Sequence, residues 1–249
     1  MKAALLAVLA CLFSAAAWAT DLSPAEILTK SDAAQMADTS HTLMAQTITT
    51  TSGRERTFKI EGWSIGRGEK SVMRFIEPAP SAGIGMLSLE HGDNIWAYFP
   101  DSDDLRKIAS SSKNSSMEGS DFSYEDMAGG GEMSRNWEAT EVTEGEHEGR
   151  ACYLLVAVPR KASSYSKVVN WIDQETFITY KAEYYDKKDR HAKTLTMSGW
   201  QQVNGIWTPT DMVMHNLKRN SQTSIQMIEV EYGTAIEDDK FTTAFLTTF

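Results

Sequence analysis

The chain has 249 residues, 41% of them hydrophobic, and 34 acidic against 24 basic side chains give a formal net charge of −10. An acidic chain repels phosphate backbones and anionic lipid surfaces, which argues against nucleic acid as a partner and favours a basic docking face. The length suits one unit, because all-β folds of this size often form a single domain.

Residues 1–19 read as a secretory leader: Lys2, an apolar run, then Ala17-Trp18-Ala19 as an A-x-A cleavage site. The expected mature domain is 20–249, exported to the periplasm. Val8-Leu9-Ala10-Cys11 loosely matches a lipoprotein cleavage box, so lipid anchoring at Cys11 is the secondary reading. Cleavage after Ala19 leaves Cys152 as the sole thiol, in the strand-like run ACYLLVAV, where it reads as a small buried apolar residue.

Leu22 to Met36 predicts the one long helix, with Ser23 as cap, Pro24 at the first position and Glu26 in the first turn. From Thr39 onward, short two-faced apolar runs alternate with turn signals such as Ser52-Gly53, His91-Gly92-Asp93-Asn94 and Asn204-Gly205. Roughly ten antiparallel strands are expected to curl rather than stay flat. Lys193 to Gln202 and Ile206 to Met214 read as two of them. Strands with large residues on both faces, such as Ile95, Trp96, Tyr98 and Phe99, imply that both sides of the sheet are covered or line a pocket.

Between a Ser-rich stretch at Ala109–Met117 and the run Gly129-Gly130-Gly131 lies GSDFSYEDMA. Ser120 or Asp121 can cap a short helix there, with Glu125 and Asp126 at its positive end. The flanks read as flexible joints. Phe122, Tyr124 and Met127 are then candidates for a movable lid, and a static plug is the competing reading.

No P-loop, dinucleotide glycine pattern, nucleophile elbow or H-E-x-x-H is present, and the five histidines lack metal-ligand spacing. Asp101, Asp103 and Asp104, and Asp121, Glu125 and Asp126, do not follow the calcium-loop pattern. No catalytic residue, metal or cofactor is therefore assigned, and an enzyme is not expected. The suggestive residues are apolar. Trp63, Phe75, Met86, Trp96, Tyr98, Trp171, Tyr184, Trp200, Met212 and Met214 are candidates for lining an apolar cavity, with Trp207 and Met227 beside them. Methionine is a soft side chain suited to varied apolar partners.

Several motifs stand at compatible spacing: Arg74-Phe75 with Pro78 and Gly83, then NIWAYFP at 94–100, Arg106-Lys107-Ile108, GSDFSYED at 119–126, VNWID at 169–173 and Ile206-Trp207-Thr208-Pro209. Together they resemble the bacterial outer-membrane lipoprotein-sorting proteins, LolA-like relatives of the periplasmic lipoprotein carrier. The resemblance implies a mainly β fold with few helices (α+β): a curved antiparallel sheet forming a half-open, LolA/LolB-like barrel with a helical lid. It implies lipid or lipoprotein acyl chains as ligand, transfer toward the outer membrane, an inner-membrane exporter of the resistance-nodulation-division type and an outer-membrane acceptor. A periplasmic sensor that binds lipid or lipoprotein and signals through a membrane partner is the alternative.

Overall fold

A computed structural model of the protein describes residues 22–128 and 131–248. The expected leader, Cys11, Gly129 and Gly130 lie outside the described residues. Helix α1 (Pro24–Gln35) begins as the sequence suggests: Ser23 and Glu26 exchange the paired hydrogen bonds of a capping box, and Pro24 opens the first turn.

Two meanders follow. The first contains β1 (Thr39–Thr49), β2 (Glu55–Ile65), β3 (Lys70–Glu77), β4 (Gly85–Leu89), β5 (Asn94–Phe99) and β6 (Asp104–Lys107). The second contains β7 (Trp137–His147), β8 (Arg150–Pro159), β9 (Tyr165–Asp173), β10 (Thr179–Asp186), β11 (His191–Ser198), β14 (Asp211–Asn216) and β15 (Ser221–Tyr232). Antiparallel pairing of β1 with β15 fuses them into one 13-stranded sheet, ordered β6-β5-β4-β3-β2-β1-β15-β14-β11-β10-β9-β8-β7. The sheet is curved and does not close into a barrel.

Two expected strands are each broken in two. Gly199 takes a positive φ of 66° after β11. Pro209, which has no N–H to give a ladder, separates the second pair. The excised pieces, β12 (Gln201–Val203) and β13 (Ile206–Thr208), form a separate hairpin closed by Asn204-Gly205, both at positive φ as its turn type requires.

This strand order dictates the rest. The chain leaves β6 at one edge of the sheet and must re-enter at β7, the opposite edge. Residues 108–128 and 131–136 therefore lie across one face, the inner face, carrying the short helices α2 (Tyr124–Ala128) and α3 (Met133–Asn136). Helix α1 lies on the same face, over β7 to β10: Ile27 and Leu28 pack with Leu155, Ile172 and Val142. The outer face carries the β12–β13 hairpin at one end. At the other lies the C-terminal segment, a 3-10 turn at Asp238–Phe241 followed by α4 (Thr243–Thr247). The exposed edge strand β7 presents Glu138, Glu141, Glu144 and Glu146, charges that discourage edge-to-edge pairing.

Candidate functional site: a methionine-lined groove under a bolted crossing segment

Register assigns each apolar side chain to a face. Met44 pairs with Ile60 and Met227, Met73 with Met86, and Met212 with Met197, all in inner rows. Met214, opposite Leu195, belongs to the same side and is fully buried with Phe122 and Ile225. Met36, Met117, Met127 and Met133 reach this side from the covering segments. Every methionine of the described residues thus serves the inner face.

The tryptophans do the opposite. Trp63 and Trp96 pack with Tyr98, Phe241 and Leu246 under the C-terminal segment. Trp171, Trp200 and Trp207 pack around Cys152 and Tyr180 under the β12–β13 hairpin. Only Trp137 among the described tryptophans joins an inner cluster, with Met133 and Tyr184. Of the ten cavity candidates, the fold gathers Phe75, Met86, Tyr184, Met212 and Met214 on the inner face. It sets Trp96, Tyr98, Trp171 and Trp200 against the outer one, and Trp63 packs there too while also bordering the larger cavity described below. The reason is the period of two: Trp96 is adjacent to the inner-facing Ile95, so a two-sided strand divides its residues between opposite sides.

Phe75 and Met86 are buried among Ile60, Ile95 and Tyr124. The open space lies closer to α1. One cavity of about 230 Å³ is lined by Met36, Met44, Met73 and Met127 together with Trp63 and Arg67. A second, of about 150 Å³, is lined by Leu28, Met36, Met133, Asn170, Leu195 and Met197. Both share Gln35, Met36 and Gly131 in their walls. Tyr184 borders the second. Its hydroxyl is pushed up by burial, so it stays protonated.

The crossing segment is fastened at four points. Asp121, 1% exposed, accepts from Ser221 Oγ at 2.6 Å and Thr223 Oγ1 at 3.0 Å, while Arg219 donates to the carbonyls of Gly119 and Ser120. Glu125 accepts from Ser163 Oγ and the Ser164 N–H. Asp126 pairs with Lys193 Nζ at 2.6 Å, their side chains 4% and 13% exposed, and accepts from Tyr165 Oη at 2.7 Å. Glu132 pairs with Arg67 at 2.7 Å. Burial, with Asp126 alongside, drives the Tyr165 hydroxyl far above its ordinary value.

Helix α2 is capped by Ser123, not by Ser120 or Asp121. The Ser123 N–H donates to Asp126 and the Asp126 N–H to Ser123 Oγ, while Asp121 is drawn away to β15. Phe122 is 6% exposed against Met214 and Ile225, Tyr124 is 8% exposed in the β1–β5 cluster, and Met127 touches both clusters. Nor is Gly131 a loose joint: a Cβ on Gly68 would come within 2.4 Å of its Cα, so the β2–β3 turn and the crossing segment meet backbone to backbone. Asp32 of α1 accepts from the Met133 and Ser134 N–H groups at 2.9 Å; burial raises its pKa and these bonds oppose that rise. Among the described residues no three His, Cys, Asp or Glu side chains are grouped to hold a metal, and no helix is long and apolar enough to cross a membrane.

A family model with the description "Uncharacterized protein" matches residues 67–248, well over half of the chain. The chain belongs to that family. No curated protein matches its sequence. Among solved structures, it is similar to a DUF1329 family protein from Desulfovibrio piger, at 28% identity and a TM-score of 0.83 over 90% of this chain and 97% of that one. A domain from Vibrio parahaemolyticus described as an outer membrane lipoprotein-sorting protein gives 23% identity and 0.83 over 90% and 98%. A LolA superfamily protein from Nitrosomonas europaea gives 21% and 0.78 over 90% and 99%. The family member therefore has the LolA-superfamily fold, as its motifs led one to expect.

Most residues lining the two cavities, Met36, Met44, Met73, Met133 and Met197 among them, are not sequence candidates, and the one polar side chain among these missed residues that stands out is Asn170. Asn170 is 3% exposed on β9, between the inner-facing Val168 and Ile172. Its signal is an amide at the centre of an otherwise apolar period-two row, beside the more conspicuous Trp171.

Proposed function

We propose that this protein is a periplasmic carrier that binds lipid, or the acyl chains of lipoproteins, in the inner-face groove and moves them toward the outer membrane. The observation that carries this reading is the methionine lining of a groove closed by a single crossing segment. Thioethers on flexible stems accommodate acyl chains of varied length, and each buried methylene contributes about 0.8 kcal/mol. Catalysis is not part of the proposal, because binding by apolar area needs no reacting group.

The two cavities, about 230 and 150 Å³, are smaller than the ~300–1,000 Å³ of ordinary ligand pockets. Cargo entry therefore requires the crossing segment to rise, with Phe122, Tyr124 and Met127 leaving the groove as a lid. An inner-membrane exporter of the resistance-nodulation-division type as donor and an outer-membrane acceptor complete the route, and the acidic surface favours basic docking faces on both. Residues 1–19 supply the export signal.

Native mass spectrometry of the protein recovered from the periplasm, followed by solvent extraction, tests the reading. Co-purifying phospholipid or acylated peptide is the expected result. A bare protein mass that takes up neither on addition would overturn it.

A further inference from the structure

The smaller cavity contains a polar group that a purely apolar carrier does not need. Asn170 projects from the inner row of β9, opposite Leu155 on β8 and Ala182 on β10. The residue is 3% exposed, and its Nδ2 has no hydrogen-bond partner among the described residues. Buried amide donors are nearly always satisfied, so an orphan in a cavity wall points to an acceptor supplied by what the cavity holds.

Of the other polar groups in that wall, the Tyr184 hydroxyl is the second one free to meet a ligand, and those carried by α1 and Thr179 are already engaged. Ser31 Oγ bonds Thr179 Oγ1, Gln35 bonds Ser31 and the Thr179 N–H, and Asp32 caps the backbone at Met133 and Ser134. Around them the lining is apolar: Leu28, Ile172, Ala182, Leu195 and Met197. The acceptor must also be uncharged. No lysine, arginine or histidine appears among the described residues of this wall, and the Asp32 carboxyl lies within it. The carboxylate of a free fatty acid would have no cation there and a like charge close by.

We propose that Asn170 reads the carbonyl of an acyl linkage: the cavity beneath α1 takes chains joined through an ester or amide, and Asn170 Nδ2 donates to that carbonyl oxygen. This deepens the carrier reading and rests on it. Hydrocarbon alone is held by area. The linkage is held by one buried hydrogen bond, and a ligand that lacks the carbonyl leaves the donor unpaired.

The test compares ligands that differ only in the linkage. The purified, delipidated protein is titrated by native mass spectrometry with a diacyl phosphatidylglycerol, its dialkyl ether analogue of equal chain length, and a triacylated lipopeptide. The expected preference for diester over diether is roughly tenfold, the scale of one buried donor left unpaired. Asn170→Leu, close in shape and without the donor, is expected to bind both equally and to melt no lower than the parent. The lipopeptide, with ester and amide carbonyls, is expected to compete with the diester. Equal uptake of diester and diether by the unaltered protein overturns the proposal and leaves the carrier reading standing. Uptake of none of the three overturns both. The ratio in the unaltered protein decides the matter even where the variant fails to fold.

Discussion

The inner and outer faces of one sheet are built from different hydrophobes. The outer face uses rigid aromatics held in fixed geometry. Trp63 stacks on His41 with centroids 5.3 Å apart and receives Phe245 edge-on at 5.8 Å. Lys181 Nζ sits 3.6 Å from the Trp171 ring centroid. The inner face has ring contacts of its own, Phe58 edge-on to Phe75 at 5.2 Å and Tyr165 against Tyr184 at 5.0 Å, and adds every methionine of the described residues. Rings in stacked and edge-to-face arrangements gain energy from one arrangement, whereas methionine, with three rotatable bonds, tolerates many. The outer face is therefore a structural seam, closed by the hairpin and the C-terminal segment. On the proposed carrier reading, the inner face is the surface that repacks around cargo.

The sharpest way to break this contrast is at the buried ion pair that fastens the crossing segment. Asp126→Ala leaves Lys193 without its partner and Tyr165 without its acceptor. Removing one member of a buried pair typically costs 3–5 kcal/mol, so a loss of about 3 kcal/mol in denaturant unfolding is expected, together with faster ligand exchange. Asp126→Leu combined with Lys193→Met should recover most of the stability, because the charge left behind is what costs. Stability of Asp126→Ala within ~1 kcal/mol of the parent would mean that the segment is not bolted at this point.

The outer face should respond in stability alone. Arg74 is 8% exposed, its Nε and Nη2 have no hydrogen-bond partner among the described residues, and its guanidinium lies 3.7 Å from the Phe245 ring centroid. Burial holds its pKa below the ordinary value, against the pull of Glu61. Phe245→Ala removes that ring and its edge contact with Trp63. A loss of about 2 kcal/mol is expected, below the range for a fully buried Phe because this one is only partly covered. Ligand affinity should not move. A change in affinity exceeding threefold, measured on the same preparation, would show that the two faces are coupled.

Methionine replacement sharpens the contrast from the other side. Met44→Leu with Met127→Leu keeps volume and apolarity, so the stability change should stay under about 1.5 kcal/mol. The range of acyl-chain lengths accepted should narrow, because branched leucine repacks less freely. An unchanged chain-length profile would mean that adaptability to cargo is not what places methionine on the inner face.

Local features of this fold were legible in the sequence, and the assignment of faces was not. Ser23, Pro24 and Glu26 mark the start of α1, and Asn204-Gly205 marks a tight turn, because these depend on neighbours a few residues apart. Whether Trp96 or Ile95 faces the groove depends on the fusion of β1 with β15, a pairing between residues from opposite ends of the domain. The crossing segment shows the same limit. Its polar residues read as a capped helix between joints, yet Asp121 and Asp126 bond side chains of β15 and β11, and Glu125 bonds the loop before β9. Gly131 reads as flexible by composition and is a close-packing glycine by position.

The smallest expected effect lies away from both faces, at the β10–β11 turn, and serves as a control on electrostatics. Asp186 accepts from the Lys188 and Arg190 N–H groups and from the Arg190 guanidinium at 2.6 Å. These bonds, led by the Arg190 side chain, lower its pKa to about 2 from an ordinary 3.8. A carboxyl whose folded pKa is depressed binds its proton less readily when folded. Its stabilisation is therefore complete above 3.8 and is lost as pH falls through about 2. The site is exposed, so screening keeps the effect small. Asp186→Asn should lower the denaturation midpoint slightly at neutral pH and make no difference near pH 2, with ligand uptake unchanged throughout. A deficit that persisted at pH 2 would trace to the turn's shape, since Asn can neither pair with Arg190 as an anion nor lose a charge on acidification.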